Sequence, residues 1–119
     1  MREHNRFSDF WLFYLREHSR PATRALHYAG TSLVILIAAT AAASGQWWLL
    51  AALPVAGYGF AWASHAAVER NRPATFTYPL WSLAADFRMF FFWLTGRLGR
   101  ELTRAGVQPN GTLEPRDAR

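Results

Sequence analysis

The sequence predicts an all-α fold, a compact helical membrane protein whose central transmembrane hairpin is flanked by an N-terminal interfacial helix and a C-terminal helix. Three observations carry that reading. From Ala25 to Val68 the chain runs 44 residues without an Asp, Glu, Lys or Arg. Ser44-Gly45-Gln46 gives this window a turn near its middle, with His27 lying 18 residues before Gly45 and His65 lying 20 after it. At 1.5 Å rise per residue each limb reaches about 30 Å, one hydrocarbon thickness, so an antiparallel hairpin returns both imidazoles to one membrane face. Arginines flank the apolar window, which places the N-terminus on the cytoplasmic side.

The elements follow in order. Phe7 to His18 is too short to span a bilayer and reads as an interfacial helix, with Trp11 and Tyr14 at head-group depth. Phe10, Tyr14 and His18 are spaced four apart and share a face, and Ser19-Arg20-Pro21 ends the segment. Pro21 suits the first turn of a second helix that continues to about Ala43. A third helix runs from about Trp47 to Glu69, with Pro54 as the site of a kink. Along it Gly57, Ala61, His65 and Glu69 recur every four residues, a small-residue stripe leading to two candidate ligands. After a loop containing Asn71, Arg72 and Pro73, the stretch from Leu80 to about Thr103 reads as one helix carrying Asp86 and Arg88. A full crossing would put Arg97, Arg100 and Arg104 opposite the other arginines, so this helix is expected to be tilted or half-embedded. Residues 1–105 form a single helical membrane domain, and residues 106–119, with two prolines and no apolar periodicity, read as a disordered tail.

Composition narrows the function classes. At 119 residues the chain holds one domain. All 13 basic residues are Arg and the net charge is +5. They flank apolar segments instead of alternating with aromatics along a groove, so no nucleic-acid partner is expected. The absence of Cys excludes disulfides, thiolate-ligated haem and cysteine-bound iron–sulfur clusters. The N-terminal stretch lacks the pattern of a secretory signal, so the apolar segments are expected in the mature protein.

The candidates for chemistry are His18, His27, His65, Glu69 and Asp86. Pro21 to His27 is six residues and Pro79 to Asp86 is seven, so His27 and Asp86 lie at similar depth if both helices start at the same interface. Ionisable groups inside a membrane are expensive and mark function by default. Imidazoles with a carboxylate and no thiolate suit Fe(II), Mn or Zn, and such a site with open positions fits non-haem iron oxygen chemistry. Plainer roles exist for each residue. His18 can answer a helix dipole, His27 can bond a neighbouring helix, His65 and Glu69 can be a surface pair, and Asp86 can meet an arginine or orient a ligand histidine. On those roles the chain is a non-catalytic helical membrane scaffold or lipid-binding protein. A bis-histidine haem site on His27 and His65 would leave His18 and Glu69 without a role.

Four blocks in order extend the reading: Phe10-Trp11-Leu12-Phe13-Tyr14-Leu15-Arg16-Glu17-His18; His27-Tyr28-Ala29-Gly30; Trp62-Ala63-Ser64-His65 with Glu69-Arg70-Asn71-Arg72-Pro73-Ala74; and Pro79-Leu80-Trp81-Ser82-Leu83 with Asp86-Phe87. Together, over residues 7–96, the chain resembles the small membrane-protein family related to the fungal 2-hydroxy fatty acid dioxygenase of fatty acid α-oxidation, in its short bacterial form. The resemblance implies an Fe(II)-dependent dioxygenase that uses O2 to shorten a 2-hydroxy fatty acid by one carbon. It carries His18, His27 and His65 over as catalytic metal ligands and implies an integral protein of a bacterial inner membrane, with the lipid bilayer as its surroundings. Thr23 stands where the family usually has Asn, and Ser64 where it usually has Gly. A 2-hydroxy acid can chelate a metal through carboxylate and hydroxyl, and three protein ligands on an octahedral ion leave room for that chelate and O2. Arg24 and Arg72 are the candidates to receive the substrate head group, and the acyl tail is expected near Leu33, Ile37, Leu49 and Phe60.

Overall fold

The computed structural model describes residues 4–71 and 77–114, and among these the secondary structure is helical apart from one isolated bridge between Val107 and Leu113. The first helix, α1, is Phe7–Glu17. Phe10, Trp11, Tyr14 and Leu15 form its buried stripe and pack in a core with Tyr78, Ala85, Met89, Leu98 and Val107. Trp11 and Tyr14, expected at head-group depth, therefore face inward. Burial is tolerable because their polar tips are satisfied: Trp11 Nε1 donates to Glu101 Oε1 at 2.8 Å, and the Tyr14 hydroxyl donates to Asp86. Arg88 covers the rim, its guanidinium 4.9 Å from the Trp11 ring centre and 4.8 Å from that of Phe92.

Helix α2 spans Pro21–Ser44, with proline in its first turn. It closes at Gly45, whose left-handed φ of 73° lets its amide reach the Ala41 carbonyl at 3.0 Å. The return limb is not the single helix expected from Trp47 to Glu69. It comprises a 3₁₀ segment Trp47–Ala52, helix α3 Leu53–Ser64 and a π-turn His65–Glu69. Pro54 accounts for the first junction. Lacking an N–H, it cannot close an α-helical bond to Leu50, whereas in the first turn of a new helix that donor is dispensable. Among the described helices, only α2 is long and apolar enough to cross a membrane unaided.

Helices α2 and α3 lie antiparallel, with His27 opposite Ser64, Gly30 opposite Phe60 and Val34 opposite Gly57. Gly30 makes the approach possible, because a Cβ there would lie 3.1 Å from the Phe60 Cβ and 3.2 Å from the Ala56 carbonyl.

The last helix is also divided. Helix α4, Pro79–Leu94, and helix α5, Leu98–Arg104, replace the single helix expected from Leu80 to Thr103. Gly96, at φ 75°, ends α4 in a Schellman motif in which the Arg97 amide bonds the Phe92 carbonyl at 2.8 Å. Gly106 repeats the device after α5, and there Val107 carries the apolar side chain that the motif buries. Residues 106–114, expected as disordered tail, fold into a compact turn. The Gln108 amide bonds the Thr112 carbonyl and the Glu114 amide bonds the Gly106 carbonyl, both at 2.8 Å. Arg16 ties this region to α1 by donating to the Ala105 carbonyl at 3.0 Å. Residues 115–119 of the expected tail lie outside the described residues.

Gly30→Leu should force α2 and α3 apart and lower the unfolding free energy by about 1–3 kcal/mol, the usual range for an overpacked contact. Thermal unfolding in detergent, followed by circular dichroism, measures it; an unchanged midpoint would contradict the close packing.

Candidate metal centre

Three segments each contribute one buried imidazole. His18 caps the C-terminus of α1, His27 lies in the second turn of α2, and His65 opens the π-turn after α3; they are 1%, 5% and 2% exposed. The Nδ1 atom of each is committed to an oxygen: His18 to the Tyr14 carbonyl at 2.7 Å, His27 to the Thr23 carbonyl at 2.9 Å, and His65 to Asn71 Oδ1 at 2.6 Å. The Asn71 amide is oriented by its own Nδ2, which donates to the Glu17 carbonyl at 3.2 Å. A carbonyl oxygen only accepts, so each Nδ1 carries the hydrogen and each Nε2 presents a lone pair.

Those lone pairs point at one another. His18 Nε2 lies 3.0 Å from His27 Nε2 and 3.1 Å from His65 Nε2, and the three ligand atoms fall within 4.8 Å of each other. Burial, followed by the neighbouring His27 and His65, holds the His18 pKa well below its ordinary 6.5, so a proton is a poor bridge. A divalent cation answers all three lone pairs at once. Imidazole nitrogens about 2.1 Å from a shared ion and at right angles stand about 3.0 Å apart, against about 3.4 Å at tetrahedral angles, so the two separations from His18 match neighbouring positions on one ion. The residues present thus fit a metal ion, with oxygen acceptors behind each ring fixing tautomer and orientation.

The π-turn sets the His65 side of this geometry. The backbone amides of both Arg70 and Asn71 bond the His65 carbonyl, and Arg70 takes a left-handed φ of 59°, rare without glycine. The widened turn brings the Asn71 side chain back beneath His65. It also delivers Glu69 to the first turn of α2. Glu69 caps α2 instead, accepting from the Arg20 amide at 2.7 Å, the Thr23 hydroxyl at 2.8 Å and the Ser19 hydroxyl at 3.2 Å. The shared face expected for His65 and Glu69 presupposes α-helical spacing, which is absent at this point.

The other candidates divide. Asp86 pairs with Tyr14, and the Tyr14 ring stacks on His18 with centroids 4.0 Å apart. Asp86 and His27 line one cleft, as their similar helical depth suggested. Arg24 donates to the His18 and Ser19 carbonyls, both at 2.8 Å, and so closes the end of α1. Arg72 lies outside the described residues. Thr23 supplies the carbonyl behind His27 as well as a hydroxyl to Glu69, and the Ser64 hydroxyl donates to the Ala61 carbonyl at 2.8 Å beside the His27 ring. Asn71 was not among the sequence candidates; its signal was its place in the block that begins at Glu69, because helical periodicity does not bring a residue six positions after His65 back to the ring.

Residues 4–98 match the family described as 2-hydroxy-palmitic acid dioxygenase Mpo1-like. The chain belongs to the Mpo1-like family. The comparisons with curated proteins and with solved structures return no match. The Mpo1-like region takes in all three histidines, Asn71, Tyr14 and Asp86, and stops short of the compact turn at residues 106–114.

In the metal-free Mpo1-like protein, His18 is neutral when folded and has a pKa below 6.5, whereas the unfolded chain protonates it at the ordinary value. The stability this imidazole contributes is full above about pH 6.5 and is lost as pH falls from there toward the folded pKa. Unfolding midpoints measured across this window should drop on the acid side, and His18→Gln should flatten the slope.

Proposed function

We propose that the chain is a membrane-embedded, Fe(II)-dependent dioxygenase that shortens 2-hydroxy fatty acids by one carbon. The observation that carries the proposal is the set of three buried Nε2 lone pairs converging in a member of the Mpo1-like family. Imidazole donors suit iron, and three of them on an octahedral ion leave positions open for substrate and O2, as non-haem iron oxygen chemistry requires.

The membrane setting is supported by the surface. Val55 is 75% exposed, Trp48 71% and Leu36 63%, an apolar exposure on the hairpin that suits lipid contact. Helix α2 is about 36 Å long at 1.5 Å per residue, and the 3₁₀ segment with α3 reaches about 30 Å, so both limbs match a hydrocarbon core. Trp47 and Trp48 sit at the turn, where aromatic side chains anchor at an interface. Arg20, Arg24 and Arg70 gather at the histidine end, which supports a cytoplasmic N-terminus in a bacterial inner membrane.

His18, His27 and His65 would hold the iron. When bound, the iron would supply a Lewis-acidic centre for O2 chemistry on a 2-hydroxy acid. The net change balances as one O2 and one hydroxy acid giving the fatty acid one carbon shorter, CO2 and water. The chain's own groups set the conditions. The Tyr14 carbonyl, the Thr23 carbonyl and Asn71 keep the three rings in their ligating tautomer, while Glu69 fixes the first turn of α2 and with it the Thr23 carbonyl. The Tyr14 hydroxyl holds the Asp86 carboxylate at the edge of the cleft beside His27, where it can accept a proton from a bound hydroxyl group. Burial of all three histidines excludes bulk water from the reacting end.

Detergent-purified protein, prepared anaerobically and reconstituted with Fe(II), should hold close to one iron per chain and consume O2 with 2-hydroxy fatty acids. His18→Ala, His27→Ala and His65→Ala should each lose the iron, and Asn71→Ala should bind it about 10–100-fold more weakly. A wild type that takes up no metal, with histidine variants that are only modestly destabilised, would instead mark a helical scaffold.

A further inference from the structure

A cleft of about 30 Å³ lies beside His27 between α2, α3 and α4, lined by Thr31, Val34, Gly57, Leu83, Asp86 and Phe87. Its chemistry changes along its length. At the histidine end stand His27, the Asp86 carboxylate and the Thr31 hydroxyl. Thr31 is 8% exposed and its hydroxyl makes no hydrogen bond among the described residues. The rest of the lining is apolar: Val34 with the bare backbone of Gly57 against it, and Leu83 and Phe87 from α4. His27, Thr31 and Val34 follow one face of α2, so the gradient runs along that helix, away from the metal centre. The space holds only one or two carbon-sized groups, so a longer chain entering it must leave again. Helix α2 packs far more closely on α3 than on α4, and Leu83 of α4, which lines the cleft, is 45% exposed, so the α4 side is the one open to an exit.

We propose that this cleft is the lateral doorway for the substrate chain, and that Gly57 keeps it open. The proposal rests on the dioxygenase reading above. The carboxylate and 2-hydroxyl lie at the histidines with Thr31 and Asp86 alongside, the next carbons pass Gly57, and the remaining chain leaves between α2 and α4 into lipid. Of the residues near which the sequence placed the acyl tail, Leu33, Ile37, Leu49 and Phe60 do not line this cleft, whereas Val34, next to Leu33, does. Gly57 is suited to the doorway because a Cβ there would already touch Val34 Cγ2 at 3.4 Å, so a larger side chain must project into the passage. Gly59, two residues on, faces open space and has nothing within 4 Å of a Cβ.

Wild type, Gly57→Leu, Leu83→Trp and Gly59→Leu are compared in lipid nanodiscs with two readouts. The first is photolabelling of the metal-free protein by a long-chain 2-hydroxy acid bearing a diazirine a few carbons from its carboxylate. The second is O2 uptake by Fe(II)-loaded protein with 2-hydroxyhexadecanoate and 2-hydroxybutanoate. Wild type and Gly59→Leu should label at the Val34, Leu83 and Phe87 segments. Gly57→Leu and Leu83→Trp should lose that label and lose about tenfold or more of kcat/KM for the long acid while keeping turnover of the short one, since obstructing even one methylene costs about this much. Because Leu83 lies at an exposed rim, its variant reads out the doorway even if Gly57→Leu fails to fold. Labelling elsewhere that Gly57→Leu leaves unchanged, with both acids turned over as in wild type, overturns the doorway and leaves the dioxygenase reading standing. A wild type that neither labels nor consumes O2 with any 2-hydroxy acid overturns both.

Discussion

Three imidazoles whose Nδ1 atoms are all spent on oxygens can only meet as three acceptors, and much of the fold is arranged to hold them in that position. Two of the oxygens are helix carbonyls one turn back along the same chain, from Tyr14 to His18 and from Thr23 to His27. These bonds come with helical geometry. The third, Asn71, needs a tertiary solution: a π-turn, a left-handed Arg70 and an amide anchored on the Glu17 carbonyl. Backbone strain of this kind persists only where the surroundings over-determine it. Here it sits at Arg70, immediately before the Asn71 that orients His65.

The packing divides into two parts that meet at the histidines. On one side α1, α4 and α5 build an aromatic core in which Tyr14 links His18 to Asp86. On the other, α2 and α3 approach closely at Gly30 and present largely apolar outer surfaces. The centre lies between the aromatic core and the largely apolar exterior of the hairpin. The short α1–α2 connection, with Arg24 bonded to the carbonyls of His18 and Ser19, brings the two parts into register.

Much of this was readable in the sequence. The charge-free window, its central Gly45 and the placement of His27 and His65 specify a hairpin whose ends meet, and the spacing of Phe10, Tyr14 and His18 put the third histidine on the buried face of α1. What was not readable has physical causes. Helical periodicity assumes 3.6 residues per turn, so it paired Glu69 with His65 and left Asn71 in a loop; the π-turn reverses those assignments. Pro54 and Gly96 signal breaks, yet whether each kinks a helix or starts a new one depends on neighbours the sequence does not order. Trp11 and Tyr14 pointed to an interface because an amphipathic aromatic helix looks alike at a bilayer and in a core, and their partners, Glu101 and Asp86, are distant in the chain.

Glu69 has a consequence that reaches beyond its own hydrogen bonds. Helices are ordinarily capped by a neighbour in sequence, so their first turn can form on its own. In this chain the cap for α2 arrives from the end of the return limb, 49 residues after the Arg20 amide that it holds. The first turn of α2, including the Thr23 carbonyl that aligns His27, is therefore secured only once the hairpin has closed. Capping, normally a local convenience, becomes a checkpoint for cooperativity. A half-folded hairpin would lack both His65 and the cap that steadies His27, so the centre is assembled as a unit.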